Sequence, residues 1–186
     1  MIKTIQELSI RKSAKSKIYR SALRFHPCLC LGFILGSRSQ QGGTILEFPL
    51  DALNYHDSND LSVTTAIDCL NNYLTPAKVT ANAFARRLIG VFGAWDHTEP
   101  ANDMRLGALV DYAVKIKVQY VLVAPTDGGE SIWGIQVYDS TRFPSGPLEY
   151  KTSRKRSTEM NDNPKRVQSM WRKSLADSQI INGQPE

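Results

Sequence analysis

The chain has 186 residues, of which 41% are hydrophobic and 22% charged, with a net charge of +5. That length and apolar content suit one domain with a real core and exclude an intrinsically disordered chain. Cys28, Cys30 and Cys69 are odd in number and too few for a disulfide framework in a chain this long, so a reducing, cytoplasmic setting is expected.

The charge is unevenly laid out. Residues 1–24 carry seven basic side chains and one acid, and residues 151–173 carry eight basic and two acidic, so each flank is +6 while residues 25–150 are −5. An acidic body between basic flanks is a layout used by proteins that bind polyanions, and solvated charged helices are the competing explanation. The apolar run Cys28–Leu35 is too short to span a bilayer. As a signal-peptide core it would follow an overlong basic lead and lack a small-residue cleavage site, so no membrane association is expected.

In chain order, residues 4–24 read as a basic helix. Thr4 and Glu7 have capping-box spacing, and Ile10, Ala14, Ile18 and Ala22 recur every fourth position until His26-Pro27 ends the pattern. Cys28–Leu35 and Thr44–Phe48 read as a strand pair joined by a glycine-rich loop, with Pro49 stopping the second strand and a polar loop over residues 51–60. Three helices are expected next. Their apolar stripes are Val63, Ile67, Leu70 and Leu74; then Phe84, Leu88, Val91 and Trp95; then Leu106, Leu109, Ala113 and Ile116. A long hairpin follows over residues 117–139, turning at Pro125-Thr126-Asp127-Gly128-Gly129-Glu130, and it is expected to organise the sheet. Leu148–Thr152 suits a short edge strand, and Asn163-Pro164 opens a last helix with Val167, Met170, Trp171 and Leu175 inward.

Two hairpins separated by a helical block predict an α+β domain. Its sheet is expected to be antiparallel or mixed, with about four to five strands, a central three-helix block and basic N- and C-terminal helices. The divisions expected are a basic helix over 1–26, an α+β body over 27–152, and a basic linker with a helix and frayed tail over 153–186.

Catalytic signals are sparse. Asp127, Glu149 and Lys151 resemble the acid and E-x-K of PD-(D/E)xK nucleases, whose carboxylates hold Mg²⁺ and whose lysine activates water. Thr126 interrupts the P-D pair and a whole strand intervenes, and turn geometry by itself asks for Asp-Gly-Gly. No cofactor is expected, with Mg²⁺ implied only by that alternative. His26, Cys28 and Cys30 alternate and could offer zinc ligands together with Cys69 or His56, but residues two apart on a strand lie too far apart for one zinc. Arg20 and His26 match the R-x5-H pattern of HEPN ribonucleases, which are all-helical. His97 beside Asp96 has no accompanying nucleophile motif. The helices over 62–74 and 76–92 could form a helix-turn-helix presenting Lys78, Arg86 and Arg87. No glycine-rich nucleotide-binding motif is present.

The basic flanks are therefore the main functional signal. Arg11, Lys12 and Lys15 in the first, and Arg154, Lys155, Arg156, Lys165, Arg166, Arg172 and Lys173 in the second, are the residues expected to contact phosphates of DNA or RNA. The expected function is a non-enzymatic nucleic-acid-associated accessory protein, with the Mg²⁺-dependent nuclease or a protein–protein interaction module as alternatives.

Overall fold

The structure is a computed structural model and describes residues 7–25, 29–38, 42–55, 63–96, 102–126, 134–153 and 164–182. In order these form β1 (Leu8–Arg11), α1 (Lys12–Phe25), β2 (Leu29–Arg38), β3 (Thr44–Tyr55), α2 (Val63–Asn71), α3 (Leu74–Ala83), β4 (Arg87–Asp96), α4 (Asn102–Lys115), β5 (Tyr120–Thr126), β6 (Gln136–Asp139), β7 (Lys151–Ser153) and α5 (Pro164–Asn182). The seven strands form one mixed sheet in the order β6-β5-β4-β2-β3-β1-β7. The α+β class agrees with expectation, while the sheet is larger than expected. The 117–139 hairpin is present as β5–β6 but lies at one edge, and β2 holds the centre between β3 and β4.

Each face of the sheet has its own core. On one face α1 buries Ala14, Ile18 and Ala22 against Ile10, Ile34, Leu46, Phe92 and Leu122. On the other, the four remaining helices cover Phe33, Leu35, Phe48, Leu50, Val91 and Val121, with Leu70, Ala77, Leu109 and Trp171 among the helical contributions. Alternation along β5 explains the division: Tyr120, Leu122 and Ala124 enter the first core and Val121 and Val123 the second. The buried LCLGFILG run of β2, residues 29–36, thus suits a central strand covered on both faces.

Three expected elements are different. Residues 87–96 form a strand, not the second half of a helix. Leu88, Val91 and Trp95 do share one core, as the helical stripe implied. They do so because β4 skips Ile89 in its pairing with β2, where Ile34 meets Gly90 and Leu35 meets Leu88. A bulge converts a spacing of three into a same-face pair, and a spacing of four is same-face on any strand. The basic N-terminal helix starts eight residues later than the capping-box spacing implies, because Leu8–Arg11 pairs in parallel with both β3 and β7. Thr4 lies outside the described residues. Finally, β3 runs through Pro49 to Tyr55 instead of stopping at Phe48. The Pro49 carbonyl faces away from β2, on the side where β1 has already ended, so its missing N–H breaks no ladder bond.

Two glycines of β2 lie beside bulges of β3, where Ala52 and Glu47 are skipped. The pairing of the two strands shifts between Leu31 and Gly32 and between Leu35 and Gly36. A Cβ at Gly36 would fall 2.2 Å from both the Ile45 carbonyl oxygen and Ile89 Cδ1, so only glycine admits this close approach.

Candidate nucleic-acid interface

Both basic helices are packed onto the body. In α1, Ala14, Ile18, Ser21 and Ala22 are buried while Lys12, Arg20 and Arg24 are exposed. In α5, Val167, Trp171 and Ser174 are buried while Lys165, Arg166, Arg172 and Lys173 are exposed. The two helices meet across the edge of β3 that β1 leaves uncovered. There the Trp171 indole N–H donates to the Asp51 carbonyl at 2.9 Å, and Lys17 Nζ donates to the Pro49 carbonyl at 3.0 Å. Two side chains therefore satisfy carbonyls that a neighbouring strand would otherwise take.

Lys17 also donates to Gln168 Oε1 of α5, and Ser21 Oγ to Asp51 Oδ2 at 3.0 Å. Burial lowers the Lys17 ammonium below the ordinary lysine range. The Asp51 carboxylate opposes that shift, and the like charges of Arg172 and Arg20 add to it. The two flanks, far apart in sequence, are thus one electrostatic neighbourhood. Lys17, Asp51 and Gln168 are the residues that sequence reasoning missed. The proline that seemed to end β3 was the available signal, because it marks where the edge is taken over by helices.

The remaining expected site residues are spread out. Arg11 lies on the opposite face from Ile10, and its guanidinium pairs with Glu47 at 2.6 Å. Arg86 Nε pairs with the other oxygen of Glu47 at 2.5 Å. Glu47 is the residue skipped where Leu35 pairs with Phe48 and Gly36 with Leu46. Leu46 enters one core while Phe48 and Leu50 enter the other, so the bulge lies where the alternation breaks. Both guanidiniums lie over the Phe48 ring, at 5.9 and 5.8 Å from its centroid. Arg86 reaches Glu47 because α3 ends on a left-handed Ala85 (φ 50°), with the Arg86 N–H donating back to the Ala81 carbonyl. Arg11 and Arg86 thus serve Glu47, and Arg87 lies on β4, so in place of the candidate helix-turn-helix stand α2 and an α3 packed against α5.

Lys15 Nζ sits 5.3 Å from the Tyr150 ring centroid and donates to Thr152 Oγ1 at 3.3 Å. Of the nuclease trio, Glu149 is exposed, Lys151 is paired with Glu7, and Asp127 lies outside the described residues. Arg154, Lys155 and Arg156, and likewise His26, Cys28, His56 and His97, also lie outside them. Cys30 is buried in the α1-side core and Cys69 is half-buried. Among the described residues no group of three or more His, Cys, Asp or Glu side chains is placed to hold a metal ion, and no helix is long and apolar enough to cross a membrane.

No protein-family model matches the chain, and no curated protein matches it. Among solved structures it is similar to a JAB1/MPN domain protein from Archaeoglobus fulgidus, with 9% identity over 79% of this chain and 98% of that one and a TM-score of 0.44. It is also similar to a protein from Desulfitobacterium hafniense, with 15% identity over 82% of this chain and 95% of that one and a TM-score of 0.48. A third, from Salinibacter ruber, shares 14% identity over 79% of this chain and 99% of that one, with a TM-score of 0.46.

Proposed function

We propose that the protein is a non-enzymatic nucleic-acid-associated accessory protein whose α1 and α5 form a single, sequence-independent phosphate-binding face. The observation that carries this reading is the meeting of the two helices at Lys17, where Gln168 binds the ammonium and Arg20 and Arg172 bear on it as like charges. Cations held this close repel one another, and a phosphate backbone laid across Arg20 and Arg172 relieves that repulsion. Lys12 and Arg24 on α1, and Lys165 and Lys173 on α5, extend the exposed positive surface. Among the described residues the large exposed apolar side chains, Leu23, Val79, Met104, Val114 and Phe143, are spread over α1, α3, α4 and the turn after β6, which favours this reading over a protein-docking module.

The test is binding of a fluorescent duplex and of a single strand across a salt series. The expected result is affinity that falls linearly in log–log form. Reversing the charge of Arg20 and Arg172 together should flatten the duplex slope by about 2, one phosphate for each side chain. Salt-insensitive binding, or none at low salt, would overturn the proposal.

A further inference from the structure

We infer that the groove between α2 and α4 is a binding site for a small organic cation, an amine or guanidinium on a short apolar stem. The site is separate from the α1–α5 face and does not depend on it. Its lining residues come from one stripe of each helix: Thr64, Ile67, Asp68 and Asn71 on α2, and Ala108, Asp111, Tyr112 and Lys115 on α4. Each set has the i, i+3, i+4, i+7 spacing at which two packed helices normally interdigitate apolar side chains. Here those positions are largely polar, and the helices leave a cleft of about 420 Å³ between them. That volume is in the range of small-molecule sites.

The chemistry of the walls selects the ligand. Asp68 and Asp111 face the cleft from opposite helices, and neither forms an ion pair with a described residue. The Tyr112 ring is buried, and its hydroxyl donates to Asn71 Oδ1 at 3.1 Å. Burial pushes that phenol up to about 12, so it stays a neutral donor and adds no competing negative charge. Ile67, Ala108 and the Tyr112 ring give apolar surface for a stem. Lys115, one turn beyond Asp111, puts a like charge at the other end, so the cationic head belongs between the two aspartates.

The experiment is isothermal titration of the full chain with agmatine, using glutarate as the anionic control. Saturable agmatine binding without glutarate binding is expected. D68N and D111N should each weaken it by about twofold to fivefold, the loss of one charge-assisted contact to an exposed carboxylate. A108F, which fills the groove without changing charge, should abolish binding while circular dichroism remains native. K115Q should tighten it. No saturable heat up to about 10 mM agmatine would overturn the inference, since affinity weaker than that is below about 3 kcal/mol. So would unchanged affinity in D68N, D111N or A108F, equal binding of glutarate, or loss of binding in K115Q.

Discussion

Glu47 lends itself to a quantitative test, because a buried carboxylate there holds two arginines. Its side chain is 1% exposed, and each carboxylate oxygen holds one guanidinium, those of Arg11 and Arg86 being 16% and 15% exposed. Replacing Glu47 with glutamine keeps the shape and removes the charge. The amide oxygen can still accept from one arginine, but its NH₂ then faces the other, and two cations over one Phe48 ring lose their shared counterion. Removing one partner of a buried ion pair costs about 3–5 kcal/mol, and the partial exposure of both arginines argues for the lower end, about 3 kcal/mol. For a chain of this size that is a fall in Tm of roughly 6–12 °C. Urea unfolding followed by circular dichroism measures the difference directly. The companion variant replaces all three residues by Met, Leu and Met, which removes every charge and its desolvation together and should recover most of the loss. A Glu47→Gln protein within about 0.5 kcal/mol of wild type, or a triple variant less stable than Glu47→Gln alone, would refute the view that the carboxylate neutralises two inward-held cations.

Three further outcomes follow from the geometry. Lys117 closes α4 in the left-handed region (φ 63°), with the Val118 N–H bonded back to the Ala113 carbonyl, so Lys117→Gly should stabilise by about 1 kcal/mol in urea, and a loss would contradict the assigned backbone. At Asp139, burial raises the carboxyl, but the Thr141 hydroxyl, the Gln119 amide, the Thr141 N–H and Arg142 together outweigh it and hold the group below its ordinary range. A depressed carboxyl stabilises above the unfolded value near 4 and loses that contribution as pH falls through the folded one, so the gap between wild type and Asp139→Asn should be wide at about pH 7 and narrow near pH 3. Lys17 is lowered in the free protein, so polyanion binding on α1 and α5 should raise it and draw in protons somewhat below the lysine value of about 10. Titration calorimetry in buffers of differing ionisation enthalpy reads that uptake, and its absence in a tight complex would place the phosphates elsewhere.

The apolar pattern located core residues more reliably than it located elements. Ile10, Ala14, Ile18 and Ala22 all enter one core as their spacing demands, although Ile10 is in a strand and the others in a helix. Leu88, Val91 and Trp95 likewise share a core on a bulged strand that imitates helical spacing. Periodicity reports which side chains face the same way, and a bulge or a strand-to-helix junction can satisfy it as well as a helix can. The candidate site was legible as two charged flanks but not as one neighbourhood. Nothing local announces that Lys17 and Gln168 meet, since that contact depends on both helices packing beside the edge of β3. Glu47 was equally hidden: a single acid within TILEF gives no sign that a bulge carries it out of alternation and into reach of Arg11 and Arg86.

The placement of β1 has a consequence for the order of assembly. Residues 8–11 lie between β3 and β7, and β7 comes from residues 151–153, so β1 gains its second neighbour only after residue 150 has been made. Trp171, which bonds to the Asp51 carbonyl of β3, arrives later still. During synthesis, β1 to β5 can pair while the outer side of β1 and the far half of β3 remain open templates for another chain's strands. Such late, long-range closure raises contact order and slows folding. A chain stopped before residue 151 should therefore expose both edges at once and associate through them, whereas residues 151–153 cover β1 and Trp171 of α5 covers the far half of β3.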